Sequence, residues 1–187
     1  MKNKFAILAV AAALVFSAQV WAKTVLPDAC GDDKVKFDVD LKKDQPPPAP
    51  PEAGNAQIVF IQNTGAYDHF MPPIRFGVDG AWVGANKNNS YFAISVDPGE
   101  HHICTSLQMG AGRGSLVKSS AQLATFTAEA GKTYYFEAAI NIISGGSNGG
   151  GAVSFDLTQL TDDVGKYRVK AWKLATWKPN KQKFALD

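Results

Sequence analysis

From Ala56 to Leu157 the chain is written as short apolar or alternating runs, each closed by a turn signal, and this rhythm constrains the fold more than any other feature. Gln57-Ile58-Val59-Phe60-Ile61 is nearly continuous in apolar residues, as a buried central strand requires. Ile74-Arg75-Phe76-Gly77-Val78 alternates and enters Asp79-Gly80, a pair that favours a tight hairpin because both residues tolerate positive φ. Trp82-Val83-Gly84 returns from that turn. Ser90-Tyr91-Phe92-Ala93-Ile94-Ser95-Val96 is a further strand, closed at Asp97-Pro98-Gly99. The runs from His101 to Leu107, Leu123 to Phe126, Thr133 to Ile143 and Val153 to Leu157 complete the series. Seven to nine short strands at a spacing of roughly 8–12 residues predict a mainly β protein, an antiparallel β-sandwich. No strand alternates with a helical stretch, which argues against a parallel α/β sheet.

The period changes on both flanks. After Leu160, the residues Val164, Tyr167, Ala171, Leu174 and Ala175 recur at helical spacing. Thr161 is placed to cap that helix, Asp162 and Asp163 suit its positive end, and Lys170 and Lys173 suit its negative end. Gly165 weakens it by about 1 kcal/mol. The expectation is a short C-terminal α-helix on the sandwich, with the chain from Pro179 onward frayed. Ahead of the strands, Val35-Lys36-Phe37-Asp38-Val39 alternates and predicts a short strand or an extended arm lying on the domain. Between Gln45 and Pro51 stand five of the ten prolines, a composition that suits a stiff polyproline spacer at ~3.1 Å per residue.

The N-terminus carries an address. A basic start at Lys2 and Lys4, an apolar run of 12 residues from Phe5 to Phe16, and Val20-Trp21-Ala22 predict a secretory signal peptide cleaved after Ala22. The apolar run falls short of the ~20 residues a spanning helix needs. Cys30 follows Pro27-Asp28-Ala29, a poor match for a lipid-attachment site. The expected division is therefore a signal peptide over 1–22, an N-terminal arm with Cys30 and the proline spacer over 23–50, a sandwich over 51–160, and a helix with a basic tail over 161–187. Removing the signal also removes Lys2 and Lys4, so 17 basic groups face 17 acidic ones. A neutral mature chain gives no support for nucleic-acid binding. Export places Cys30 and Cys104 in an oxidising compartment, where a disulfide is the expected state and two buried thiols the alternative.

Chemistry-bearing residues are sparse. His101 and His102 are neighbours on a strand and face opposite sides, and no ligand spacing joins them to His69, so structural or surface histidines are expected. Cys104 and His102 share a strand face and form the one local thiol–imidazole pair, which a disulfide would disable. The glycine-rich stretches at 110–115 and 145–151 lack the ending of a phosphate-binding loop. From Lys166 to Asp187 the chain holds Lys166, Arg168, Lys170, Lys173, Lys178, Lys181 and Lys183 against one acid. With Trp172 and Trp177 this end could touch an anionic envelope surface or a partner, although a solvated helix face is the plainer reading.

The order Val78-Asp79-Gly80-Ala81-Trp82-Val83-Gly84, then Ser90-Tyr91-Phe92, then Val96-Asp97-Pro98-Gly99-Glu100-His101-His102, resembles the PEGA-type β modules of bacterial envelope proteins. With the strand from Ala56 to Ile61 and Ala130-Gly131-Lys132-Thr133-Tyr134-Tyr135, the chain from Pro51 to Leu160 is more specifically similar to family 2846 of the bacterial domains of unknown function. That resemblance implies an exported sandwich related to transthyretin-like and PEGA-like folds, and it implies no catalytic residues. Read as architecture, Gly84 permits a close backbone approach and His101 hydrogen-bonds across its turn. The expectation is a non-catalytic envelope binding or scaffolding module, periplasmic or secreted. It needs no cofactor or metal and has no transmembrane segment after signal removal; its partner is an envelope protein or a glycan. The alternatives are a secreted carbohydrate-binding module using Trp82, Tyr91 and Trp177 as its binding surface, and a hydrolase or redox protein using Cys104 and His102.

Overall fold

The computed structural model describes residues 28–66, 71–108, 121–143 and 152–180. The expected signal segment, His69, the two glycine-rich stretches, Lys181 and Lys183 lie outside these residues.

The elements run β1 (Phe37–Lys42), β2 (Ala56–Asn63), β3 (Ile74–Val78), β4 (Ala81–Asn86), β5 (Ser90–Val96), β6 (Gly99–Leu107), β7 (Gln122–Ala128), β8 (Thr133–Ile143), β9 (Ala152–Leu160), α1 (Asp162–Ala171) and β10 (Lys173–Pro179). They form a six-stranded sheet, β1-β10-β5-β2-β8-β9, and a four-stranded sheet, β4-β3-β6-β7. The chain is thus a mainly β, two-sheet sandwich, with one short helix among the described residues, as expected. Two details differ: the described residues form ten strands, and the larger sheet is mixed. β2 runs parallel to β8, and β10 runs parallel to β5. Parallel neighbours arise where the chain leaves a sheet and re-enters it from the same end. Between β2 and β8 it visits the smaller sheet, and α1 carries it back from the β9 edge to insert β10 between β1 and β5. Side-chain alternation reports which face a residue occupies and says nothing of strand direction.

Along β2 the larger sheet is buried on both faces, which explains the unbroken apolar run of that strand. Its inner face sets Ile58, Phe60, Phe136 and Phe155 against Ile74, Phe76, Ile103 and Phe126 of the smaller sheet. Phe60 and Phe76 lie 4.8 Å apart between ring centroids, and Phe126 and Phe136 lie 5.0 Å apart. Its outer face gathers Val59, Ile61, Tyr91 and Tyr135 under Val169 of α1. Each such side chain taken fully out of water contributes about 1.5–3 kcal/mol.

The helix presents a different face from the expected one. Gly165 and Val169 are its buried residues, whereas Val164 and Tyr167 stand 41% and 65% exposed. Gly165 lies directly on the Tyr135 ring, where a Cβ would collide with the ring carbons. The absence of a side chain, a weakness by propensity, is what lets the helix dock. Thr161 takes the N-cap position without a side-chain cap bond, and its carbonyl accepts the Gly165 N–H at 2.9 Å. The helix stops at Ala171, and Leu174 and Ala175 belong to β10. The segment through Pro179 is therefore a strand, paired antiparallel to β1 from Phe37↔Pro179 to Lys42↔Leu174. Its partner lies near the other end of the chain, so no local signal marks it.

The N-terminal arm is part of the sandwich. Cys30 and Cys104 form the expected disulfide, with Cα atoms 5.1 Å apart and a sequence separation of 74. Arg75 donates from Nη1 to the carbonyls of Asp33 at 3.0 Å and Val35 at 2.6 Å. Gln108 holds Phe37 twice, accepting its N–H at 2.7 Å and donating to its carbonyl at 2.8 Å.

Candidate functional site

Two connections cross the outer face of the six-stranded sheet: the proline segment between β1 and β2, and α1 between β9 and β10. Both have local reasons to stay out of the sheet. Pro46, Pro47, Pro48, Pro50 and Pro51 lack the N–H that a ladder needs, so the segment lies over the sheet as a strap. Gln57 ties it down, donating from Nε2 to the Ala49 carbonyl at 2.9 Å. The helix is held by Gly165 on Tyr135, by Val169 in the outer cluster, and by Arg168, whose Nε lies 2.9 Å from Glu137 Oε2 on β8. The Arg168 guanidinium also stacks over Trp172, 4.7 Å from the ring centroid.

Strap and helix diverge, and a cleft of about 740 Å³ lies between them. Its floor is set by strand register: Gln57 pairs with Thr133 and Val59 with Tyr135, so all four point to the outer face. The strap prolines form one wall, and Asp162, Lys166, Val169 and Lys170 of α1 form the other. A smaller lobe of about 320 Å³ continues along the helix to Trp172 and Lys173, sharing Pro47, Val169 and Lys170 with the larger one. Lys132 meets Glu129 at 3.0 Å and Lys166 meets Asp162 at 3.1 Å, and these hydrogen bonds raise the pKa of both lysines. Burial, reinforced by the Asp162 carboxylate, raises that of the Tyr135 phenol, so it stays neutral. The cleft therefore offers a floor apolar at Val59 and Tyr135 and polar at Gln57 and Thr133, a wall almost without donors, and cations along its rim.

The aromatic trio does not share a surface. Tyr91 is 1% exposed beneath the outer cluster, which corrects its expected place on a binding face: β5 is an inner strand with both faces covered. Trp82 is half-buried, its indole N–H donated to the Asp32 carbonyl at 2.7 Å and its ring under Arg75 at 4.3 Å. Trp177 is 37% exposed but lies edge-on to Phe37 and Phe92 and covers Gly84, the close approach expected there. Cys104 is fully buried in its disulfide and carries no thiol for His102 to activate. His102 is exposed, with Nδ1 3.1 Å from Thr125 Oγ1. His101 bonds across its turn as expected, with Nδ1 2.7 Å from Asp79 Oδ2 and Nε2 2.8 Å from the Asp97 carbonyl.

The sequence holds the cleft only in pieces. Five prolines that cannot donate and two lysines a helical turn apart are visible, but nothing local says that they face each other.

Fold and site together define a disulfide-stapled, two-sheet β-sandwich with a cleft on its outer face. The chain belongs to the family of proteins of unknown function DUF2846, whose family model matches residues 52–151. No curated protein and no solved structure matches the chain. The match spans β2 to β8, so the family core supplies the floor of the cleft, while the strap and α1, its two walls, lie outside the matched residues.

Proposed function

We propose that the protein is an exported, non-catalytic binding or scaffolding module of the bacterial envelope, and that it binds through the cleft between strap and helix. The observation that carries this reading is the cleft itself. Its volume of about 740 Å³ falls within the ~300–1,000 Å³ of ligand sites, and its walls are segments added to both ends of the family core. Export is supported by the basic start and 12-residue apolar run of the N-terminus, and by a disulfide of the kind that persists in oxidising compartments. Among the described residues no helix is long and apolar enough to cross a membrane. The likeness of the turn motifs to PEGA-type modules is in keeping with an envelope setting.

The test is site-specific photo-crosslinking in intact cells that produce the full precursor. A crosslinker at Thr133 or Lys170 is expected to give discrete adducts, and one at Leu123, exposed on β7 of the other sheet, none. Adducts from Leu123 alone, or from no position, would overturn the proposal.

A further inference from the structure

We infer that the cleft takes a free, single-chain anionic amphiphile, an alkyl or acyl tail bearing one phosphate or carboxylate head. This rests on the cleft being the binding site and names its ligand. Three features select the class. The strap wall presents proline ring methylenes and carbonyls, and from Pro46 to Pro51 only Ala49 has a backbone N–H. A sugar, which needs donors and acceptors along its edges, is poorly served there, whereas an alkyl chain needs neither. The floor and helix add Val59, Tyr135 and Val169, all apolar bodies that exclude water from such a chain.

Charge places the head. Lys43, Lys132, Lys166, Lys170 and Lys173 line the two lobes, against Asp44 and Asp162. Lys132 and Lys166 are ion-paired, but Lys43, Lys170 and Lys173 have no carboxylate partner among the described residues. All three line the smaller lobe, and Lys170 lines both. The head therefore lies in the smaller lobe and the tail runs beneath the strap toward Thr133. One hydrogen bond, from Gln57 to Ala49, ties the strap to the floor among the described residues, so the wall can lift to admit a chain.

Calorimetry on the mature chain separates head from tail. Dodecyl phosphate and dodecyl maltoside, each below its micellar concentration, and inorganic phosphate are titrated. Dodecyl phosphate is expected to bind at least about tenfold more tightly than either of the others, a difference that one good charge interaction supplies. The double change Lys170→Glu with Lys173→Glu should weaken it by about tenfold or more at an unchanged unfolding temperature, and Thr133→Trp, which fills the mouth, should abolish it. Equal binding of the maltoside, equal binding of inorganic phosphate, or no binding at all would each overturn the inference. These wild-type arms stand even if a variant fails to fold. Adducts from Thr133 in cells, without amphiphile binding, would leave the broader binding role intact while removing this ligand.

Discussion

Asp79 in the β3–β4 turn and His101 on the neighbouring strand β6 face each other at 2.7 Å, and the geometry requires the imidazole to be charged. The Asp79 carboxylate accepts at His101 Nδ1, and the Asp97 carbonyl, 2.8 Å away, can only accept at Nε2. Both ring nitrogens must donate, which only the imidazolium can do. Burial opposes the charge, but the Asp97 carbonyl and the Asp79 carboxylate outweigh it and hold the His101 pKa above its ordinary value. Asp79 is likewise desolvated, yet the His102 N–H at 2.8 Å and His101 itself hold its pKa below the ordinary carboxylate value.

A bell-shaped contribution to stability follows. The raised His101 pKa stabilises the fold fully below the unfolded value of 6.5, and this is lost as pH rises through the folded value. The lowered Asp79 pKa stabilises it above 3.8, and this is lost as pH falls through the folded value. Thermal unfolding of the wild type and His101→Gln from pH 3 to 9 should show the widest gap between roughly pH 4 and 6.5, narrowing on both sides. A gap independent of pH would show that the pair is not an ion pair.

Gly165→Ala should destabilise the protein although Ala is the better helix former by about 1 kcal/mol. The added methyl meets the Tyr135 ring, and overpacking of this kind costs about 1–3 kcal/mol. Urea denaturation should give a net loss, with partial recovery in the double variant with Tyr135→Val. Additive effects of the two changes would separate the helix from this ring.

Replacing Cys30 and Cys104 by Ser removes a staple across 74 positions, and chain entropy puts the loss at about 4.5 kcal/mol. The oxidised wild type should show no reactive thiol in Ellman's assay while folded or after unfolding. A thiol released by denaturant alone would mean that the staple is not formed.

Trp177→Ala discriminates a surface aromatic from a structural one. Exposed substitutions usually stay within about 0.5 kcal/mol. Trp177 covers Gly84 and meets Phe37 at 5.1 Å, so a loss of about 3 kcal/mol is expected, at the low end of core Trp truncations because the ring is partly wet. Chemical denaturation measures it, and a loss below 0.5 kcal/mol would return Trp177 to the surface.

The strands of the core were legible because their signals are local. The apolar run Ile58 to Ile61 states that β2 is covered on both faces, and Asp79-Gly80 names its own turn, since two successive residues at φ 50° and 84° need what Asp and Gly allow. The Cys30–Cys104 staple was legible by a different route, from the export expected of the N-terminal pattern and the lack of any other cysteine. The helix begins where its period predicts but ends at Ala171, leaving Leu174 and Ala175 to β10, and it buries a different face. The spacing of Val164, Tyr167 and Ala171 marks a stripe, and docking follows contact area, which Gly165 and Val169 provide against Tyr135 and the outer cluster.

By itself, then, the sequence determined that this chain makes a two-layer β protein, where its main turns fall and which cysteines can pair, because strand period, turn chemistry and pairing arithmetic act over a few residues or over composition. The tertiary structure alone decided that β10 joins β1, that Tyr91 lies under cover, and that strap and helix face each other across a cleft. Alternation tells a residue to turn away from water without naming what will cover it. That cover is chosen by segments far apart in the chain, whose closure is favoured only once the whole sheet exists to receive them.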